Sequence, residues 1–75
     1  MVKLEQKSIE QYFQEFKVSA SAKEKILSRI TDIVYDRNML VVKHEAETDE
    51  YRKKQLATEI KELEDKIAAI IKENQ

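Results

Sequence analysis

Arg37 carries the clearest chemical signature in the chain. At 100° per residue it falls between Ile30, Ile33, Val34 and Val41, near the middle of an apolar helical band, where an unpaired charge would be expensive. A guanidinium there needs an acceptor. One reading is an ion pair or hydrogen bond across a subunit interface, with the aliphatic stem packed beside it. The other is an anion site, because the planar fork suits phosphate or carboxylate. His44 stands seven residues on and shares the face. Near a helix end it serves the dipole or solvent. With no cysteine and no second histidine, a structural zinc site lacks ligands, and no metal or other cofactor is expected.

A second cluster surrounds the start of the second helix. Ser19, Ser21, Lys23, Lys25 and Ser28 lie near an N-terminus whose free amides favour anions, and Tyr12 can present an aromatic face from the helix before. An aromatic to stack on a base and a lysine to meet a phosphate would make a nucleotide pocket. The structural reading of the same residues makes the serines caps, packs Tyr12 with Phe13 and Phe16, and leaves the lysines solvated. Catalysis finds little support: there is no Gly-rich phosphate loop, no Cys–His or Ser–His spacing, and no carboxylate pair in an apolar setting. Asp32 and Asp36 are four apart but lie off the apolar band, so the chain is read as non-enzymatic. Arg52, Lys53 and Lys54 form a short basic cluster, offset by Asp49 and Glu50. Tyr35 and Tyr51 stand outside the main stripes as candidate interface aromatics.

Three helices must position these groups. Ile9, Tyr12, Phe13 and Phe16 gather on one side of a first, short amphipathic helix, about 8–17, opened by Ser8 with Gln11 as a capping box. A second box, Ser21 with Glu24, predicts a second helix over about 22–45, with Ile26, Leu27, Ile30, Ile33, Val34, Leu40 and Val41 as its apolar band. Thr48, Asp49 and Glu50 predict the start of a third, about 48–73, whose apolar residues at 56, 60, 63, 67 and 70 step by four and three as a heptad seam does. Nothing in residues 43–55 forbids one continuous rod. Matched lengths and a seam that fades between the two long segments favour an antiparallel hairpin instead.

Composition sets the remaining bounds. Gly and Pro are absent and strong helix formers dominate, so the class is all-α, in a single domain spanning 1–75. A core of 75 residues rarely contributes more than about 3–5 kcal/mol unaided, and disulfides and metal staples are excluded here, which leaves oligomerisation. The expected form is therefore an oligomeric helical bundle, a dimer or higher, with Ile30, Val34, Arg37, Val41, Leu56, Ile60, Leu63 and Ile67 at its interfaces. Fourteen basic and fifteen acidic residues nearly cancel, both overall and locally, so no basic face for duplex binding is expected. No apolar run approaches the ~20 residues of a membrane span and the first residues do not read as a signal peptide, which makes the cytoplasm the expected compartment.

In layout the chain resembles the phage-encoded anti-CBASS sponge proteins, small oligomers in which a short N-terminal helix precedes two long antiparallel ones and which sequester cyclic oligonucleotide signals. The resemblance covers the whole chain at the level of topology. It implies that Tyr12, with Lys23 or Lys25, holds such a ligand between protomers, flanked by Ser28 and Arg37, and that the protein acts in a host cytoplasm. From the residues alone the expectation is a self-associating helical protein that binds another protein, as regulators, inhibitors, adaptors and chaperones do. Ligand capture is the alternative, and nucleic-acid binding through residues 52–54 a second one.

Overall fold

The computed structural model describes residues 4–75, which form three helices and no strand: α1 (Ile9–Glu15), α2 (Ala20–Ala46) and α3 (Glu50–Glu73). The capping box expected at Ser8 opens α1. The Ser8 hydroxyl accepts the Gln11 amide at 3.2 Å, and the Gln11 side-chain oxygen accepts the Ser8 amide at 2.8 Å. The helix closes by a device that the sequence does not advertise. Lys17 adopts a left-handed φ of 51°, the Val18 amide donates to the Phe13 carbonyl at 3.0 Å, and the Lys17 amide donates to that of Gln14 at 3.3 Å. These are the paired bonds of a Schellman closure, which normally places glycine at the left-handed position. In a chain without glycine a lysine takes it, at a cost of about 1 kcal/mol. In return Val18 is buried in the same apolar cluster as Phe13.

So abrupt a closure lets the next helix start early. Ser19 is the N-cap of α2, its carbonyl accepting the amides of Ala22 and Lys23 at 3.1 and 3.2 Å. Ser21, expected as the cap, lies inside the first turn, with its hydroxyl 3.3 Å from that of Ser19. Ala20 and Ala22 are strong helix formers, and once Val18 is committed to the core nothing delays the helix to 22. At 27 residues α2 is about 40 Å long, which accounts for most of the 43 Å length of the molecule.

The chain turns over residues 47–49. Glu47 leaves the helix with extended backbone angles and its carboxylate accepts the Asp49 amide at 3.1 Å. Asp49 then caps α3 by accepting the Tyr51 amide at 3.0 Å, so α3 begins at 50 and not at 48. A three-residue link returns α3 against α2, and the choice between rod and hairpin resolves to the hairpin. Fully buried Ile26 and Ile30 of α2 and Ile67 and Ile71 of α3 meet in its open half, under Tyr12 and Phe13 of α1. Val41 and Ile60 are buried nearer the turn. Each such side chain stabilises the fold by about 1.5–3 kcal/mol. Thus α1 roofs one face of the hairpin, and only over the half away from the turn.

Candidate functional site

Arg37 is 2% exposed, so its band position was a true burial signal. Its acceptors all come from its own chain, where the sequence had suggested a partner across a subunit interface. Nε and Nη2 both donate to Oε1 of Glu64 on α3, at 3.1 and 2.7 Å. Nη1 donates to Oδ1 of Asn38 at 3.0 Å and to the Glu5 carbonyl. Four of the five donors that a guanidinium carries are thereby matched. Asn38 extends the network: its Oδ1 also accepts the Lys7 amide at 3.0 Å, and its Nδ2 donates to the Lys7 carbonyl at 2.7 Å. One side-chain amide thus pairs with the backbone of Lys7 as a neighbouring strand would. Arg37 and Asn38 together clasp residues 5–7 along the hairpin.

Tyr12 is 3% exposed, inside the core cluster with Phe13. Lys7 closes over its ring, with Nζ 5.3 Å from the centroid and 2.9 Å from a Glu15 carboxylate oxygen. Its hydroxyl is buried without a hydrogen-bond partner among the described residues. Burial raises its pKa above the ordinary tyrosine value of 10.0; Arg37 opposes the rise, while Glu64 and Glu15 add to it. Tyr12 and Arg37 are therefore electrostatic neighbours. The other residues of the expected ligand cluster stand apart from them. Lys23 sits over the Phe13 ring at 5.9 Å and 4.0 Å from Glu10. Lys25 is exposed, and Ser28 donates its hydroxyl to the Lys25 carbonyl at 3.0 Å. Nine residues, about 13 Å of helix, separate Ser28 from Arg37.

Of the expected interface set, Ile30, Val34, Arg37, Val41, Ile60 and Ile67 lie buried inside the protomer. Leu56 and Leu63 remain half-buried with Leu40 along the groove between the long helices, and Ile33 and Ile70, also half-buried, continue their rows toward the open end, where they pack against the core cluster. Near the turn the groove measures about 820 Å³, with Lys43, Ala46, Arg52, Leu56 and Glu59 in its walls. It continues into a hollow of about 390 Å³ bounded by Asp36, Met39, Leu40 and Leu63, and the two share Lys43 and Glu59. Along the outer side of α2, Tyr35 is 64% exposed and Met39 and Val42 are largely open; Tyr51, on the first turn of α3, is 69% exposed. Arg52 and Lys54 are exposed beside it, and His44 is half-buried in the last turn of α2.

Sequence reasoning missed Asn38, Glu64 and the acceptor backbone of residues 5–7. Asn38 carried a faint signal, as a poor helix former placed mid-helix beside the buried arginine. Glu64 falls at the edge of the apolar stripe on the wheel of α3, about 40° beyond Ile60, which was also visible, but its pairing spans 27 positions of sequence. Among the described residues no group of His, Cys, Asp and Glu is placed to hold a metal ion, and no helix is long and apolar enough to cross a membrane. No protein-family model, curated protein or solved structure matches the chain.

Proposed function

We propose that the protein works by protein–protein contact: it self-associates through its hairpin and, as an assembly, binds another protein in the manner of a small regulator, inhibitor, adaptor or chaperone. One observation carries this reading. Ile33, Leu40, Leu56, Leu63 and Ile70 are spaced as a helix-packing seam requires, yet all five are only partly buried, and Leu40, Leu56 and Leu63 line a groove that α1 leaves uncovered. Aliphatic rows of that kind are buried by another helical surface, and contiguous apolar patches mark contact sites. Sedimentation equilibrium of the full chain from micromolar to millimolar concentration tests the reading. A mass above that of the monomer is expected, and a monomer throughout overturns it.

Capture of a cyclic oligonucleotide would need the Tyr12 ring and the Arg37 fork open to the ligand. In the protomer the first is roofed by Lys7 and the second is matched by Glu64, Asn38 and Glu5, which favours protein contact. Calorimetry against cyclic di- and trinucleotides is expected to give no heat. Micromolar binding lost in Lys25→Ala would replace this reading with ligand capture.

A further inference from the structure

The uncovered face carries more order than an apolar groove. Ile33 and Leu40 are seven apart, as are Leu56, Leu63 and Ile70. Each is followed three residues later by a charge: Asp36 and Lys43 on α2, then Glu59, Lys66 and Glu73 on α3. Three residues is 300°, so every charge lies about 60° from its aliphatic, and on both helices the offset points away from the core, toward the outer rim of the face. The signs alternate along each row, in the pattern by which coiled coils select their partners. Among the described residues none of these five forms an ion pair within the protomer. Two complementary charge rows flank an apolar seam, and both are unused.

The Arg37–Glu64 pair fixes how the rows are levelled. Since those two residues meet, Asp36 stands level with Asp65, one residue from Lys66, and Lys43 stands level with Thr58, one residue from Glu59. Opposite signs therefore share each level, on opposite rims of one face. A second copy turned about an axis parallel to the helices keeps every level and sets α2 against α3. Asp36 then meets Lys66 of the partner subunit, and Lys43 meets Glu59 of the partner subunit, each pair twice by symmetry. The other two-fold that closes this face lies across the helices and sets α2 against itself. Centred on Asp36, it brings Asp36 to Asp36 and Arg29 to Lys43, like against like. Centred between Asp36 and Lys43, it pairs those two but carries Arg29 past the end of the facing α2, whereas the parallel axis also sets Arg29 one residue from Glu73 of the partner subunit.

We infer that the hairpin face opposite α1 is a homodimer interface, in which two copies join turn beside turn about a two-fold axis parallel to α2 and α3. The product is a four-helix bundle with the aliphatic rows as its centre and the charge rows as its rim. The two α1 helices lie on opposite outer faces, and both 47–49 turns lie at one end. The inference rests on the self-association reading above and adds the face, the occupant and the orientation.

Charge reversal in the full chain tests it, read by sedimentation with helical content checked by circular dichroism. Asp36 and Lys66 are exposed, so Asp36→Lys and Lys66→Glu leave the protomer core intact. Each single variant turns two attractive contacts into repulsive ones and should weaken dimerisation about tenfold or more. An equimolar mixture of the two restores opposite charges at both contacts and should dimerise as the unmodified chain does, as should the double variant. Association unaffected by either reversal, or reversals that the mixture fails to rescue, overturns the proposed face and orientation while leaving self-association standing. A chain that is monomeric at every concentration overturns both.

Discussion

Replacing Glu64 with alanine asks how much the fold depends on one carboxylate. Alanine keeps the helix propensity of α3, so the loss registers at Arg37. The variant removes both bonds from Nε and Nη2 and leaves a 2%-exposed guanidinium with only the Asn38 and Glu5 oxygens. Breaking a fully buried pair in this way costs about 3–5 kcal/mol. The Glu64 side chain is 37% exposed, so water reaches its place and the neutral acceptors remain, which reduces the expected cost to about 2 kcal/mol. A chain of this length has about 4–11 kcal/mol in total, and the melting temperature should fall by about 8–16 °C. Urea unfolding followed by circular dichroism is the assay, at one fixed protein concentration because association couples to stability. The midpoint should fall with the slope unchanged. Arg37→Met combined with Glu64→Ala removes the stranded charge and should return to within about 1 kcal/mol of the unmodified protein. A Glu64→Ala midpoint indistinguishable from the original, or a double variant no more stable than the single one, would refute the view that Glu64 is what makes the buried charge tolerable.

Tyr12→Phe deletes a buried hydroxyl that has no partner and should raise stability by up to about 1 kcal/mol in the same urea assay. Because burial lifts the Tyr12 pKa in the fold, the folded state holds that proton more tightly than the unfolded chain. Stability should therefore fall as pH rises past the ordinary value of 10.0 and toward the folded pKa, and less steeply in Tyr12→Phe. Asn38→Ala breaks both bonds to the Lys7 backbone, so the Lys7 amide should exchange with deuterium at least about tenfold faster while the amides of Ile30 and Ile67 keep their protection. Lys17→Gly relieves a left-handed lysine and, after the extra chain entropy of glycine, should stabilise by about 0.5–1 kcal/mol; a loss of stability would mean that Lys17 does more than close α1.

Features resting on near neighbours were legible. The Ser8–Gln11 box is made within one turn, and both of its bonds are in place. The burial of Arg37 followed from the wheel of its own helix. Features that needed a distant segment were not. Val18 lay outside the expected first helix, about 8–17, and its place in the core exists only after Lys17 turns left-handed, a turn that no glycine marked. Ser21, with Glu24 three residues on, matched the capping box and Ser19 did not, yet the closure of α1 makes Ser19 the cap. Arg37 was read as needing a partner, which it has, but the partner proved to be within the protomer.

By itself, then, the sequence determined an all-helical chain, the three segments that become helices, and which stripe of each is apolar, since propensity and the 3.6-residue period act over one or two turns. The tertiary structure alone decided where each stripe spends its apolar surface. Folding α3 back on α2 and laying α1 over one face consumed most of the expected interface in a private core, gave Arg37 to Glu64, and left the rows of Ile33, Leu40, Leu56, Leu63 and Ile70 only partly buried. A helical stripe records that it must be buried but not against what, because the burial of apolar surface is non-directional.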